Sequence, residues 1–188
     1  MISGPFIEVS VWVLKAVAIL MLARIAYVDF LTLRIRNDHV LALFAVALAI
    51  LVFDYMQSKD IARAGIVAAA SALVFVVLIV FWMLRKVGAG DVKLLAIMPL
   101  LVGLNSSITF VLSLLVLTLL IYGAMKFPML LPAQLYRVQL DAMRRDGKIP
   151  FGVPIALAAI AALLIPIGAL PVHRAAPDIS DLTLSGFE

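Results

Sequence analysis

Two aspartates stand out by position in this 188-residue chain: Asp29 closes one long apolar stretch, and Asp91 opens another inside Gly88-Ala89-Gly90-Asp91-Val92-Lys93. Carboxyl groups held at short range do not both ionise, so a close pair shares a proton. The ionised member can take a proton from water while the protonated member donates to a carbonyl oxygen. That is general acid–base hydrolysis of a peptide bond, without a metal and without a covalent intermediate. Little else in the chain offers comparable chemistry. There is no cysteine, and the two histidines, His39 and His173, form no H-x-x-x-H or H-E-x-x-H spacing. No metal site and no cofactor are expected. Ser71, Ser106, Ser107 and Ser113 have no histidine within reach in sequence and no convincing lysine for a Ser–Lys dyad.

The elements that must position the two carboxyls are set by composition. The chain is 65% hydrophobic and only 14% charged, against about 45–50% and about 25% in soluble domains. A soluble enzyme and a disordered chain are excluded, and the lipid bilayer is the expected surroundings. The net charge is only +4, with basic residues in short runs between apolar blocks, so no nucleic-acid partner is expected. A helix needs about 20 apolar residues to cross a core of ~30 Å. Phe6–Val28, Val40–Met56, Ala64–Leu84, Ser106–Met125 and Phe151–Val172 fit, and Leu94–Leu104, which contains Pro99, forms a shorter sixth block. The first block lacks a basic start and an A-x-A site, and reads as an uncleaved span. The expected fold is all-α, a six-transmembrane-helix bundle with a short fourth helix. Residues 1–176 form one polytopic domain and residues 177–188 a polar tail.

Counting Lys and Arg in the loops gives the orientation. With six crossings the basic loops at 29–39, 85–92 and 126–150 share one side, the cytoplasmic one, and both termini lie outside. Ala133–Arg145 mixes apolar and basic residues and fits either a helix on the inner leaflet or a solvated loop helix. Between Asp29 and Asp91 the chain goes out on the second span and back on the third, so both carboxyls come to the same cytoplasmic face. The fourth helix, about 20 Å long from Val92 to Leu104, is too short to span. Asp91 is therefore expected below the headgroup plane, with Gly88 and Gly90 allowing close approach of backbone or substrate.

Each carboxylate taken singly also fits a structural role. Asp29 can end a helix at the interface, and Asp91 can be the N-cap of the fourth helix. Lys93 can tune Asp91 or touch a substrate, or simply snorkel. Lys15, in mid-span, fits snorkelling or pairing with Glu8. Shared face, short helix and the absence of rival groups favour Asp29 and Asp91 as a catalytic pair.

The segment from Gly88 to Leu95 resembles the G-x-G-D-x-K motif of the type IV prepilin peptidases, GxGD-type aspartyl proteases of the bacterial inner membrane. Asp29-Phe30-Leu31-Thr32-Leu33-Arg34-Ile35-Arg36-Asn37 resembles that family's first aspartate motif, with Arg36 where Pro is usual. Ile149-Pro150-Phe151-Gly152-Val153-Pro154 is similar to the I-P-F-G-P segment that starts the last span. The resemblance implies a six-span peptidase that removes the short basic leader of prepilin-like substrates at the cytoplasmic face. It implies Asp29 and Asp91 as catalytic residues. Asn37, Gly88, Gly90 and Lys93 are candidates for binding substrate or shaping the site, and Gly152 for the same role or, in preference, for close helix packing. A short first loop without cysteine places the chain nearest the compact, peptidase-only branch of tight-adherence (Flp-type) pilus systems, with pilus assembly machinery as a possible partner. The alternatives are a proton-coupled small membrane transporter and a non-catalytic pilus-assembly membrane subunit.

Overall fold

The computed structural model describes residues 4–33, 35–126 and 151–165. Five helices are found among them: α1 (Gly4–Thr32), α2 (Asn37–Ser58), α3 (Ile61–Met83), α4 (Ala89–Lys126) and α5 (Gly152–Leu164). The surface helix expected at Ala133–Arg145, the tail from Pro177, His173 and the later part of the last span fall outside the described residues.

Four of the helices, α1 to α4, are long and apolar enough to cross a membrane, whereas α5 has 13 residues and is shorter. The expected count of six separate helices is thus five here, because the fourth and fifth blocks are continuous. Gly103 alone interrupts α4, at φ 70° and ψ 173°. This is backbone that essentially only glycine adopts without strain. The two arms fold back on each other there: Asp91 and Leu95 of the first arm line the same cavity as Leu114 and Thr118 of the second. A straight helix would hold Asp91 and Thr118 about 40 Å apart. Ser107 Oγ donates to the Gly103 carbonyl (2.7 Å) just past the break. Pro99, which removes one helical hydrogen bond, lies one turn before it.

Local chemistry sets the other ends. Lys59 takes a left-handed conformation, φ 55°, and its N–H closes α2 on the Tyr55 carbonyl. Asp60 then caps α3 by accepting from the Arg63 N–H at 3.0 Å, which satisfies one of the four open donors of a helix start. Arg63 also faces Asp54 at 3.7 Å across this turn. Lys15 lies 5.1 Å from the Trp12 ring centroid, a cation–π contact within helix α1.

The core lies between α1, α2, the first arm of α4 and α5. Its fully covered side chains include Leu22, Ile25, Leu43, Leu94, Met98 and Ile155. Helix α5 packs chiefly on α4 and α1, and Ala156, Ala158, Ala159 and Ala162 have no exposed surface. Small side chains let backbones approach closely where lipid supplies no hydrophobic drive between helices. Helix α3 packs on α4, helped by Ser71, whose hydroxyl donates to the Ala96 carbonyl. Its other face leaves Leu73, Val76, Val80 and Trp82 exposed, as a lipid-facing surface requires.

Candidate active site

Asp29 lies in the last turn of α1, and its backbone carbonyl accepts from the Leu33 N–H at 2.8 Å. Leu33 turns the chain out of the helix at φ 53°, a strained conformation for a bulky residue. Asp91 is the third residue of α4. The first helical bond of α4 runs from the Val92 N–H to the Gly88 carbonyl, at 3.1 Å. Gly88, not Asp91, is therefore the N-cap, and the Asp91 carboxyl reaches back toward the Gly88 N–H. The three-residue spacing is that of a capping box, and Gly88 at the N-cap corrects the N-cap role weighed for Asp91 above.

The out-and-back path of α2 and α3 brings the two carboxyls to one end of the bundle, close enough to interact electrostatically. Their exposures differ. Asp29 is 4% exposed, and its Oδ2 is buried with no hydrogen-bond partner in the protein. The Gly152 and Val153 N–H groups, at the start of α5, are directed at this carboxyl, where the helix N-terminus favours negative charge. Asp91 is half-buried and lines a cavity of ≈ 550 Å³ with Leu33, Gly88, Leu95, Leu114, Thr118, Phe151 and Ile155.

Three glycines make room for this arrangement. A methyl group on Gly152 would lie 2.7 Å from Asp29 Oδ2 and 3.0 Å from Ile35 Cδ1. On Gly88 it would lie 2.9 Å from Asp91 Oδ2, and on Gly90 it would lie 3.0 Å from Ile35 Cβ. Gly88 and Gly152 thus sit directly against the carboxyls, while Gly90 accommodates a neighbour. Lys93 and Asn37 bond each other, Lys93 Nζ donating to Asn37 Oδ1 at 3.1 Å, and neither lines the cavity that holds Asp91. This ties the start of α2 to the first turn of α4. Both also line a larger apolar groove of ≈ 650 Å³ between α2, α3 and α4, which does not include either carboxyl. Asp38 is paired with Arg36 at 2.7 Å on the exposed surface.

The residue that sequence reading passed over is Ile35. It packs between Gly90 and Gly152 beside Asp29. The available signal was a single aliphatic side chain in an otherwise polar run, Arg34-Ile35-Arg36-Asn37-Asp38. Among the described residues no group of three or more His, Cys, Asp or Glu side chains is arranged to hold a metal ion.

Fold and site together define a multi-pass helical membrane protein with an acidic pair at one end of its bundle. The type IV leader peptidase family matches the chain over residues 16–123, more than half of its length, and the chain belongs to that family of proteases. The matched stretch includes Asp29, Ile35, Asn37, Gly88, Gly90, Asp91 and Lys93 but not Gly152. No curated protein and no solved structure matches the chain.

Proposed function

We propose that this protein is an aspartic-type endopeptidase that removes the short basic leader of prepilin-like substrates, with Asp29 and Asp91 acting on one water. The carrying observation is that two carboxyls 62 positions apart in sequence meet at one end of the bundle, each against a glycine that leaves it room. The ionised carboxyl removes a proton from water, and the water oxygen attacks the scissile carbonyl carbon. The protonated carboxyl donates to the carbonyl oxygen. Collapse of the tetrahedral intermediate breaks the C–N bond, and the leaving amine takes up a proton from the pair. No covalent enzyme intermediate forms, and no cofactor takes part.

Substrate delivery follows from the surroundings. The cavity at Asp91 is otherwise mostly apolar, lined by Leu33, Leu95, Leu114, Phe151 and Ile155. It suits the start of an apolar helix whose remainder lies in the bilayer. Arg36, Arg85, Lys86 and Lys93 share the carboxyl end of the described helices, and Lys59 and Arg63 the other. This charge bias supports a cytoplasmic site in a bacterial inner membrane. The fold-back at Gly103 supports counting α4 as two crossings, giving six with α5 and both termini outside the cytoplasm. A proton-coupled transporter would need its carboxylate near mid-membrane, and both aspartates sit at helix ends.

The test is co-expression with a pilin precursor bearing its leader, followed by its size shift on a gel. Asp29→Asn and Asp91→Asn should each abolish processing at unchanged membrane levels. Processing retained by either variant would remove that residue from the chemistry.

A further inference from the structure

The Asp29 carboxyl is sealed rather than open. It is 4% exposed, and its Oδ2 is buried and accepts no hydrogen bond from the protein. A buried carboxylate oxygen without a partner is costly, so what covers it matters. On one side stands the start of α5, where Gly152 is so close that a methyl there would lie 2.7 Å from Oδ2. The same methyl position lies 3.0 Å from Ile35 Cδ1. The carboxyl oxygen and the tip of Ile35 therefore border one point in space.

Ile35 is held there from two further directions. Its Cβ would be 3.0 Å from a methyl on Gly90, so it lies against the first turn of α4 as well as the start of α5. Two residues later, Asn37 is bonded to Lys93 of α4, which fixes the chain that carries Ile35. The side chain packs on the core as a partly buried residue. It is neither fully buried nor fully exposed, so it can shift without opening the core.

We infer that the Ile35 side chain is a stopper over Asp29, seated between Gly90 and Gly152, which must move aside before water and a peptide carbonyl reach both carboxyls. This rests on the acid-pair reading given above and adds a positioning residue to it. In the resting protein the stopper keeps bulk water from Asp29. Asp91, on the cavity wall, stays reachable. Ile35 does not itself line the Asp91 cavity, so a substrate chain would have to reach beyond that cavity to displace its tip, and the site would become wet only when it is occupied.

The experiment measures carboxyl accessibility directly. The purified full chain in detergent is treated with a water-soluble carbodiimide and an amine, and labelling of Asp29 and Asp91 is quantified by mass spectrometry. In the native protein Asp29 should label much more slowly than Asp91. Ile35→Ala should speed Asp29 labelling by about tenfold, since removing the cover leaves little to open, while Asp91 changes by less than about twofold. Ile35→Leu keeps the bulk and should stay near native. Fast native labelling of Asp29, no change in Ile35→Ala, an equal rise at both aspartates, or an equal effect of Ile35→Leu would each overturn the stopper. Leader removal by Asp29→Asn, assayed separately, tests the acid pair itself, so the two failures are distinguishable.

Discussion

Gly152→Ala is the sharpest probe of the site, because the closest clash it creates is with the Asp29 carboxyl, with Ile35 Cδ1 next at 3.0 Å. The added methyl would stand 2.7 Å from Asp29 Oδ2 and 2.8 Å from its Cγ, where ordinary contact begins at 3.4 Å. Relief requires a displacement of about 0.7 Å, and misplacement of about that size costs up to ~10²-fold in rate. Helix α5 is packed on α4 and α1 and buried along most of its length, so it yields little, and the Asp29 carboxyl must swing instead. Overpacking of this kind costs about 1–3 kcal/mol of stability, small enough to leave a folded protein. The assay is the initial rate of leader removal by purified enzyme in detergent, at saturating and limiting substrate, with thermal unfolding measured in parallel. We expect kcat to fall about 10- to 100-fold while the unfolding transition survives. Gly65→Ala is the control, since a methyl there meets nothing within 4 Å, and it should leave the rate unchanged. A Gly152→Ala enzyme working within twofold of the native rate would refute the assignment of Asp29 to the chemistry in this geometry.

Gly103→Ala meets no steric obstacle, yet it forces an L-residue to φ 70°. It should cost about 1–3 kcal/mol, read as a lower thermal unfolding midpoint. Its kcat should be unchanged, since the fold-back lies at the far end of the arms from Asp91. Lys93→Met removes the bond to Asn37 and leaves both carboxyls in place. Leader removal should slow by less than about tenfold, as befits an exposed hydrogen bond, whereas complete loss would show that Lys93 takes a direct part in the reaction.

The membrane class and helical makeup were legible because they depend on sums and runs of apolar residues, which need no partner to be read. Even the meeting of Asp29 with Asp91 at one end was legible, since each apolar run reverses the chain's direction and two reversals return it to the starting face. The Gly88-Ala89-Gly90-Asp91 run also announced close packing by its glycines. The role of each glycine was not legible. Gly88 and Gly152 leave space for carboxyls and Gly90 for an isoleucine, and such a difference lies in distances between chain segments up to more than a hundred residues apart.

The sequence by itself therefore determined the solvent this protein lives in, its helices and the end of the bundle where its acidic pair gathers. Tertiary structure alone decided that Gly103 joins two blocks into one folded-back element, that α5 packs on α4 and α1, and that Ile35 sits against both Gly90 and Gly152. The physical reason is range. Hydropathy and turn chemistry act within a few residues along the chain, but the burial of one carboxyl oxygen depends on atoms brought to it by three separate helix ends.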